Sequence, residues 1–141
     1  MIYKVRRGVF ETNSSSTHSI TMCSNEEYEA WKAGKMVYDC DAEELVSLRN
    51  PEFLMKFQKV LLRKQTRYNA EDERYIAIQT ILDCIENGNK MPIPELERCL
   101  KLSNYETYDG FYDDSYAETF CTSYKTKSGE EVIAFGKYSA G

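Results

Sequence analysis

Residues 118–138 constrain the fold more than any other stretch of this chain. Two β-rich runs, 118–126 and 131–138, flank Lys127-Ser128-Gly129-Glu130. Phe120, Thr122 and Tyr124 alternate along the first, and Val132, Ala134 and Gly136 oppose Ile133 and Phe135 along the second. Alternating runs joined by a short Gly-containing segment signal an antiparallel hairpin. The N-terminal region offers strands to extend it. Residues 17–22 alternate, with His18, Ile20 and Met22 on one side and Ser19 and Thr21 on the other; residues 2–6 alternate in part.

The middle of the chain reads as helices. Ser24 with Glu27 three residues on has capping-box spacing for a helix over 24–33, stopped by Gly34. A short strand is expected over 36–38, and Asp41 is expected to cap a helix through Glu44. Asn50-Pro51 opens the next helix, with Pro at its tolerated first position. There Leu54, Phe57 and Leu61 form an apolar face, while Lys56, Lys59, Arg63 and Arg67 recur at three, four and four along one helical line. That line is either a solvated face or a short electrostatic track for phosphates or an acidic protein surface. Asn69 is expected to cap a helix carrying Tyr75, Ile78, Leu82 and Ile85, which Gly88 ends. Pro94 opens a further helix to about Leu102. Strands at both ends and helices between them predict an α+β fold. The expected architecture is a small, mainly antiparallel sheet, built from the N-terminal strands and the C-terminal hairpin, packed against a central helical segment. At 141 residues, a single domain over 1–141 is expected.

The densest set of hydrogen-bonding side chains lies in residues 6–19, which hold the only histidine. Asn13, Ser14, Ser15 and Ser16 make a poor helix interior, because such side chains compete for backbone hydrogen bonds. They read as a loop between strands. Polar loops expose successive N–H groups to anions, and Arg6 and Arg7 upstream are planar partners for phosphate or carboxylate. Arg6, Arg7, Asn13, Ser14, Ser15, Ser16, Thr17 and His18 are therefore the candidate ligand-binding residues. The competing reading is a capping and turn network.

Residues Val5 to Ile20, centred on Arg-Arg-Gly-Val-Phe-Glu-Thr-Asn-Ser-Ser-Ser-Thr-His-Ser, resemble the N-terminal signature of a family of small phage- and prophage-encoded proteins. Ser128-Gly129-Glu130-Glu131-Val132-Ile133-Ala134-Phe135-Gly136 resembles that family's ending. The resemblance implies a small accessory protein in the cytoplasm of an infected or lysogenic bacterial host, a setting that suits counter-defence. It carries over no catalytic residue.

The net charge of −5 argues against bulk nucleic-acid binding. The opening residues lack the apolar run of a signal peptide, and no stretch approaches a membrane span. Cys23, Cys40, Cys84, Cys99 and Cys121 include no C-x-x-C pair, and only His18 could join them, so no metal site or cofactor is expected. Walker, G-x-G-x-x-G and G-x-S-x-G patterns are absent. The enzymatic alternative is His18 acting with a nearby serine, and nothing in the sequence orients that pair.

Residues 103–118 form a second unusual stretch. Tyr105, Tyr108, Tyr112 and Tyr116 recur at three, four and four, beside Glu106, Asp109, Asp113, Asp114 and Glu118. The spacing predicts a helical tyrosine stripe with an acidic back. Tyr105, Tyr108, Asp109, Tyr112, Asp113 and Tyr116 are the candidate partner-binding residues.

Two functions follow as expectations. One is a non-catalytic binder of a phosphorylated small molecule or nucleotide at the N-terminal loop. The other is an acidic, Tyr-rich inhibitor of a host nucleic-acid-binding protein, imitating nucleic acid toward a basic surface in the manner of an anti-CRISPR. The opposite signs of the 56–67 line and the 106–118 stretch further suggest a homodimer or higher symmetric oligomer.

Overall fold

A computed structural model describes residues 10–11, 16–113 and 118–140, with side chains described over 20–113 and 118–138. It is an α+β fold of five helices and two small antiparallel sheets among the described residues. The chain divides into two compact units: 1–46 with 106–141, and 47–105.

The first unit holds the principal sheet. Its strands are β1 (Phe10–Glu11), β2 (Ser16–Ser24), β6 (Glu118–Lys125) and β7 (Glu131–Ala140), in the order β1-β2-β7-β6. All pairings are antiparallel. The expected C-terminal hairpin is present as β6–β7, with Gly129 at φ +91° in its turn, a conformation Gly adopts without a Cβ penalty. Residues directly opposite share a face. Thr21, Phe135 and Cys121 thus lie on one face with Cys23, Ile133 and Ser123; Met22, Ala134 and Thr122 lie on the other with Tyr124 and Val132.

Two helices cover the first of these faces. Helix α1 (Asn25–Lys32) starts as expected: Ser24 Oγ accepts from Glu27 N at 3.1 Å, and Glu27 Oε1 accepts from Ser24 N at 3.2 Å. Helix α5 (Tyr108–Tyr112) is a single short turn capped by Thr107. Tyr28 and Trp31 from α1 and Phe111 from α5 close over Cys23, Ile133 and Phe135, with Tyr38 and Leu45 completing the buried cluster. The last two come from β3 (Met36–Asp39) and β4 (Glu44–Ser47), which with β5 (Tyr105–Glu106) form the second sheet in the order β4-β3-β5.

Asp41 does not cap a helix. Asp39 Oδ1 accepts from the backbone N–H groups of Asp41 and Ala42, both at 3.0 Å, and the chain turns into β4. The short Asp39 side chain captures the donors that a helix would have used. Glu43 in this turn has φ +56°.

The second unit is helical. Helix α2 (Pro51–Gln65) is capped by Asn50, whose Oδ1 accepts from Glu52 N at 2.9 Å. Helix α3 (Glu73–Asn87) ends at Gly88 with φ +67° as the spacing predicts, but its cap is Asp72 rather than Asn69. Residues 66–72 are used as a connection instead of a first turn. Helix α4 (Ile93–Leu102) has Pro94 near its start. Phe53, Phe57 and Leu61 of α2, Ile78, Ile81 and Leu82 of α3, and Cys99 and Leu100 of α4 are buried.

Glu43 carries two local costs: a left-handed backbone at a residue with a Cβ, and a buried Oε2 with no hydrogen-bond partner among the described residues. Glu43→Gly is expected to raise the unfolding free energy by about 1 kcal/mol in urea titration. A loss of stability would show that the carboxylate contributes to the turn.

Candidate interaction surface

The apolar residues of α2 decide what it leaves in water. Phe53, Phe57, Leu61 and Gln65 are buried at successive i+4 positions. At about 100° per residue, the opposite side carries Met55, Lys59 and Leu62, with Lys56 and Arg63 beside them. Met55 is 53% and Leu62 51% exposed, so two large apolar side chains stand in solvent on this face. Met55 and Leu62 stand seven apart, as do Lys56 and Arg63. One apolar and one basic row therefore run together along about two turns.

Lys56, Lys59, Arg63 and Arg67 are all exposed, and none forms an ion pair with a described residue. Arg67 lies just past the helix, its N–H donating to Lys64 O at 3.0 Å. The other arginines described around α3 and α4 behave differently. Arg74 grips Asp72 through two contacts, Nε to Oδ1 at 3.0 Å and Nη2 to Oδ2 at 2.8 Å, and holds that carboxyl down to about 2. Arg98 meets Glu73 at 3.0 Å. These pairs line a hollow of about 630 Å³ with Lys101 and Leu102, so its guanidinium charge is largely answered from within. Like charges at i,i+4 repel by about 0.2–0.5 kcal/mol. Helix α2 carries that repulsion between Lys59 and Arg63 without a described acid to relieve it.

The charge is divided along the same lines. Residues 47–105 hold ten basic and eight acidic side chains, a net +2; the remainder holds eight against fifteen, a net −7. The overall −5 conceals a cationic segment.

The N-terminal candidates fall largely outside the described residues: Arg6, Arg7, Asn13, Ser14 and Ser15 all do. Ser16, Thr17 and His18 are placed as β2 backbone, with Thr17 opposite Glu11 and Ser139, and His18 opposite Phe10 and Tyr138. Their side chains lie outside the described set. The strand expected over residues 2–6 also lies outside it.

The tyrosine stripe is not a helical face. Tyr105 sits in β5 and is buried, its ring 5.0 Å from Phe53 and 6.0 Å from Phe57. Only 108–112 is helical, because the chain is extended on entering at β5. Tyr108 and Tyr112 are partly buried against Trp31, with centroids at 5.3 and 6.0 Å. Tyr112 Oη lies 2.8 Å from Tyr28 Oη. These tyrosines fill a core instead of presenting rings to a partner. Asp109 and Asp113 are exposed, whereas Glu106 is tied to Lys137 at 3.1 Å. Tyr116 and Asp114 lie outside the described residues.

Three thiols are held in their neutral form. Burial pushes Cys23, Cys40 and Cys99 each up to about 12, with neighbouring Glu27, Glu106 and Glu95 adding to the effect. Such thiols are poor nucleophiles near neutral pH. Among the described residues, no group of three or more His, Cys, Asp or Glu is arranged to hold a metal, and no helix is long and apolar enough to cross a membrane.

No protein-family model, curated protein or solved structure matches the chain.

The buried thiols fix a pH dependence. Unfolded, these groups lose protons near pH 9; folded, they keep them to about 12. Unfolding between those values releases protons, so stability falls as pH rises. Urea midpoints are expected to drop from about pH 8 to about pH 11, and the drop should lessen in Cys23→Ala and Cys99→Ala after allowance for the lost packing. An unchanged midpoint would show that the thiols ionise freely in the fold.

Proposed function

We propose that this chain is a non-catalytic binding protein and that its helical unit docks an anionic partner on the exposed face of α2. The observation that carries the reading is the line Lys56, Lys59, Arg63 and Arg67, exposed and without a described ion pair, beside solvent-exposed Met55 and Leu62. Positive charge concentrated on one face steers anions and speeds encounter. Resemblance to small phage proteins supports an accessory role, with the partner belonging to the host.

Fluorescence anisotropy at low salt with three probes, a DNA duplex, polyphosphate and polyglutamate, tests this. Wild-type protein is expected to bind at least one, with affinity falling as salt rises. Lys59→Glu with Arg63→Glu should weaken binding at least tenfold while leaving the fold intact, since both side chains are exposed. Equal binding by the variant, or none by wild type, overturns the reading.

A second reading keeps the N-terminal polar stretch as a site for a phosphorylated small molecule or nucleotide, in counter-defence. The hydroxyl- and amide-rich run from Asn13 to Ser16, with Arg6 and Arg7 upstream, supports it, since these side chains are suited to phosphate. A nucleotide that binds there should stabilise the protein by about 2.7 kcal/mol at a hundred times its Kd. Arg7→Ala should remove that thermal shift. No shift with any cyclic or linear nucleotide would end this reading.

A further inference from the structure

Among the described residues, β6 is an edge of the principal sheet and runs for eight residues, Glu118–Lys125. It pairs with β7 residue for residue along its whole length, so no bulge twists it away. It contains no proline, and its only charges are at its two ends. Between them lie Thr119, Phe120, Cys121, Thr122, Ser123 and Tyr124, mostly residues that favour extended backbone. Cys121 through Lys125 are all exposed, and no described strand pairs with this edge. Among the described residues, bulge, proline, internal charge and a covering strand, devices that normally protect an edge strand, are absent from it.

We propose that β6 pairs with β6 of a second copy of the chain, antiparallel about a two-fold axis centred on Thr122, to give one continuous eight-stranded sheet. Parallel in-register pairing would set Glu118 beside Glu118 and Lys125 beside Lys125. Antiparallel pairing instead brings Glu118 of each copy to the same end as Lys125 of the other. A two-fold axis through such a pair runs perpendicular to the sheet and keeps each residue on its own face. Partners therefore differ by an even number of positions. Centring on Thr122 sets Phe120 opposite Tyr124 of the second copy, twice, flanking Thr122 against Thr122. Aromatic pairs and threonine pairs are among the cross-strand contacts that stabilise sheets. All of these residues share the face that carries Met22, to whose Sδ the Tyr124 hydroxyl donates at 3.6 Å. Cys121 would stand opposite Ser123 on the face toward α1. The arrangement is a strand addition in which the added strand is the chain's own. It rests on β6 alone and is independent of the α2 reading.

Charge at the axis tests it. Thr122→Lys and Thr122→Glu each place a like charge directly opposite itself, on an exposed side chain whose replacement leaves the core untouched. In sedimentation across a range of protein concentrations, wild type is expected to dimerise and each variant to remain monomeric with a wild-type circular dichroism spectrum. An equimolar mixture of the two variants is expected to restore the dimer, because Lys then faces Glu. A monomeric wild type at the highest attainable concentration overturns the proposal. So does a dimer that survives Thr122→Lys, or a mixture that stays monomeric. Lys59→Glu with Arg63→Glu should leave the dimer intact; its loss in that variant would show that the basic line meeting the acidic 106–118 stretch holds the copies together, and would likewise overturn strand pairing.

Discussion

Trp31 is the contact on which the first unit depends. Its ring lies 5.0 Å from Phe135 of β7, 5.2 Å from Phe111 of α5 and 6.0 Å from Tyr38 of β3. Its indole N–H donates to Glu106 O at 3.2 Å. One side chain thereby binds α1, the principal sheet, the small sheet and α5 into a single cluster. Indole is suited to this, since it combines a large apolar area with one donor that must find an acceptor when buried. The acceptor is a backbone carbonyl of β5, which fixes the path of the chain entering α5. Lys137 reinforces that path. Its ammonium meets the Glu106 carboxylate and stands 4.4 Å from the Phe111 ring, so β7 holds the same segment from the other side.

Much of this was legible in the sequence because it is local. The Ser24–Glu27 capping box, the Asn50-Pro51 start, Gly88 at the end of α3 and the Gly129 turn each depend on residues within a few positions of one another. Failures occurred where contacts that spacing does not encode decided the outcome. Tyr105, Tyr108 and Tyr112 have helical spacing, but Tyr105 is drawn into β5 and packs against Phe53 and Phe57, far away in sequence. Periodicity cannot distinguish a stripe that faces solvent from side chains gathered separately into cores. At Asp41, a nearby carboxylate with equal claim to the same N–H groups, Asp39, displaced the expected cap. The basic line on α2 was readable, since its residues are all within one helix. That its charges lack described partners was not readable, because Arg74 and Arg98, equally basic in sequence, do have them.

The tyrosines' commitment to the core changes what the acidic stretch can offer. Asp109 and Asp113 remain exposed, but the aromatic area that would have accompanied them is spent on Trp31 and Tyr28. Charge without adjoining apolar surface gives steering more than affinity. Helix α2 has the opposite balance. Met55 and Leu62 supply area that excludes water, while Lys56, Lys59 and Arg63 supply direction. A partner matched to that face needs both an apolar projection and carboxylates or phosphates around it.

The chain order of the principal sheet has a consequence for synthesis. β2 lies between β1 and β7, and β7 is the last strand described. As the chain emerges from the ribosome, β2 must wait for more than a hundred residues before its long neighbour, Glu131–Ala140, exists. The helical unit at 47–105 is contiguous and can assemble from local contacts in the meantime. During that interval the α1 aromatics have neither Phe111 nor Phe135 to cover them. A nascent chain of this design spends its vulnerable period with Tyr28 and Trp31 uncovered, and ends it in one step when the terminal hairpin arrives.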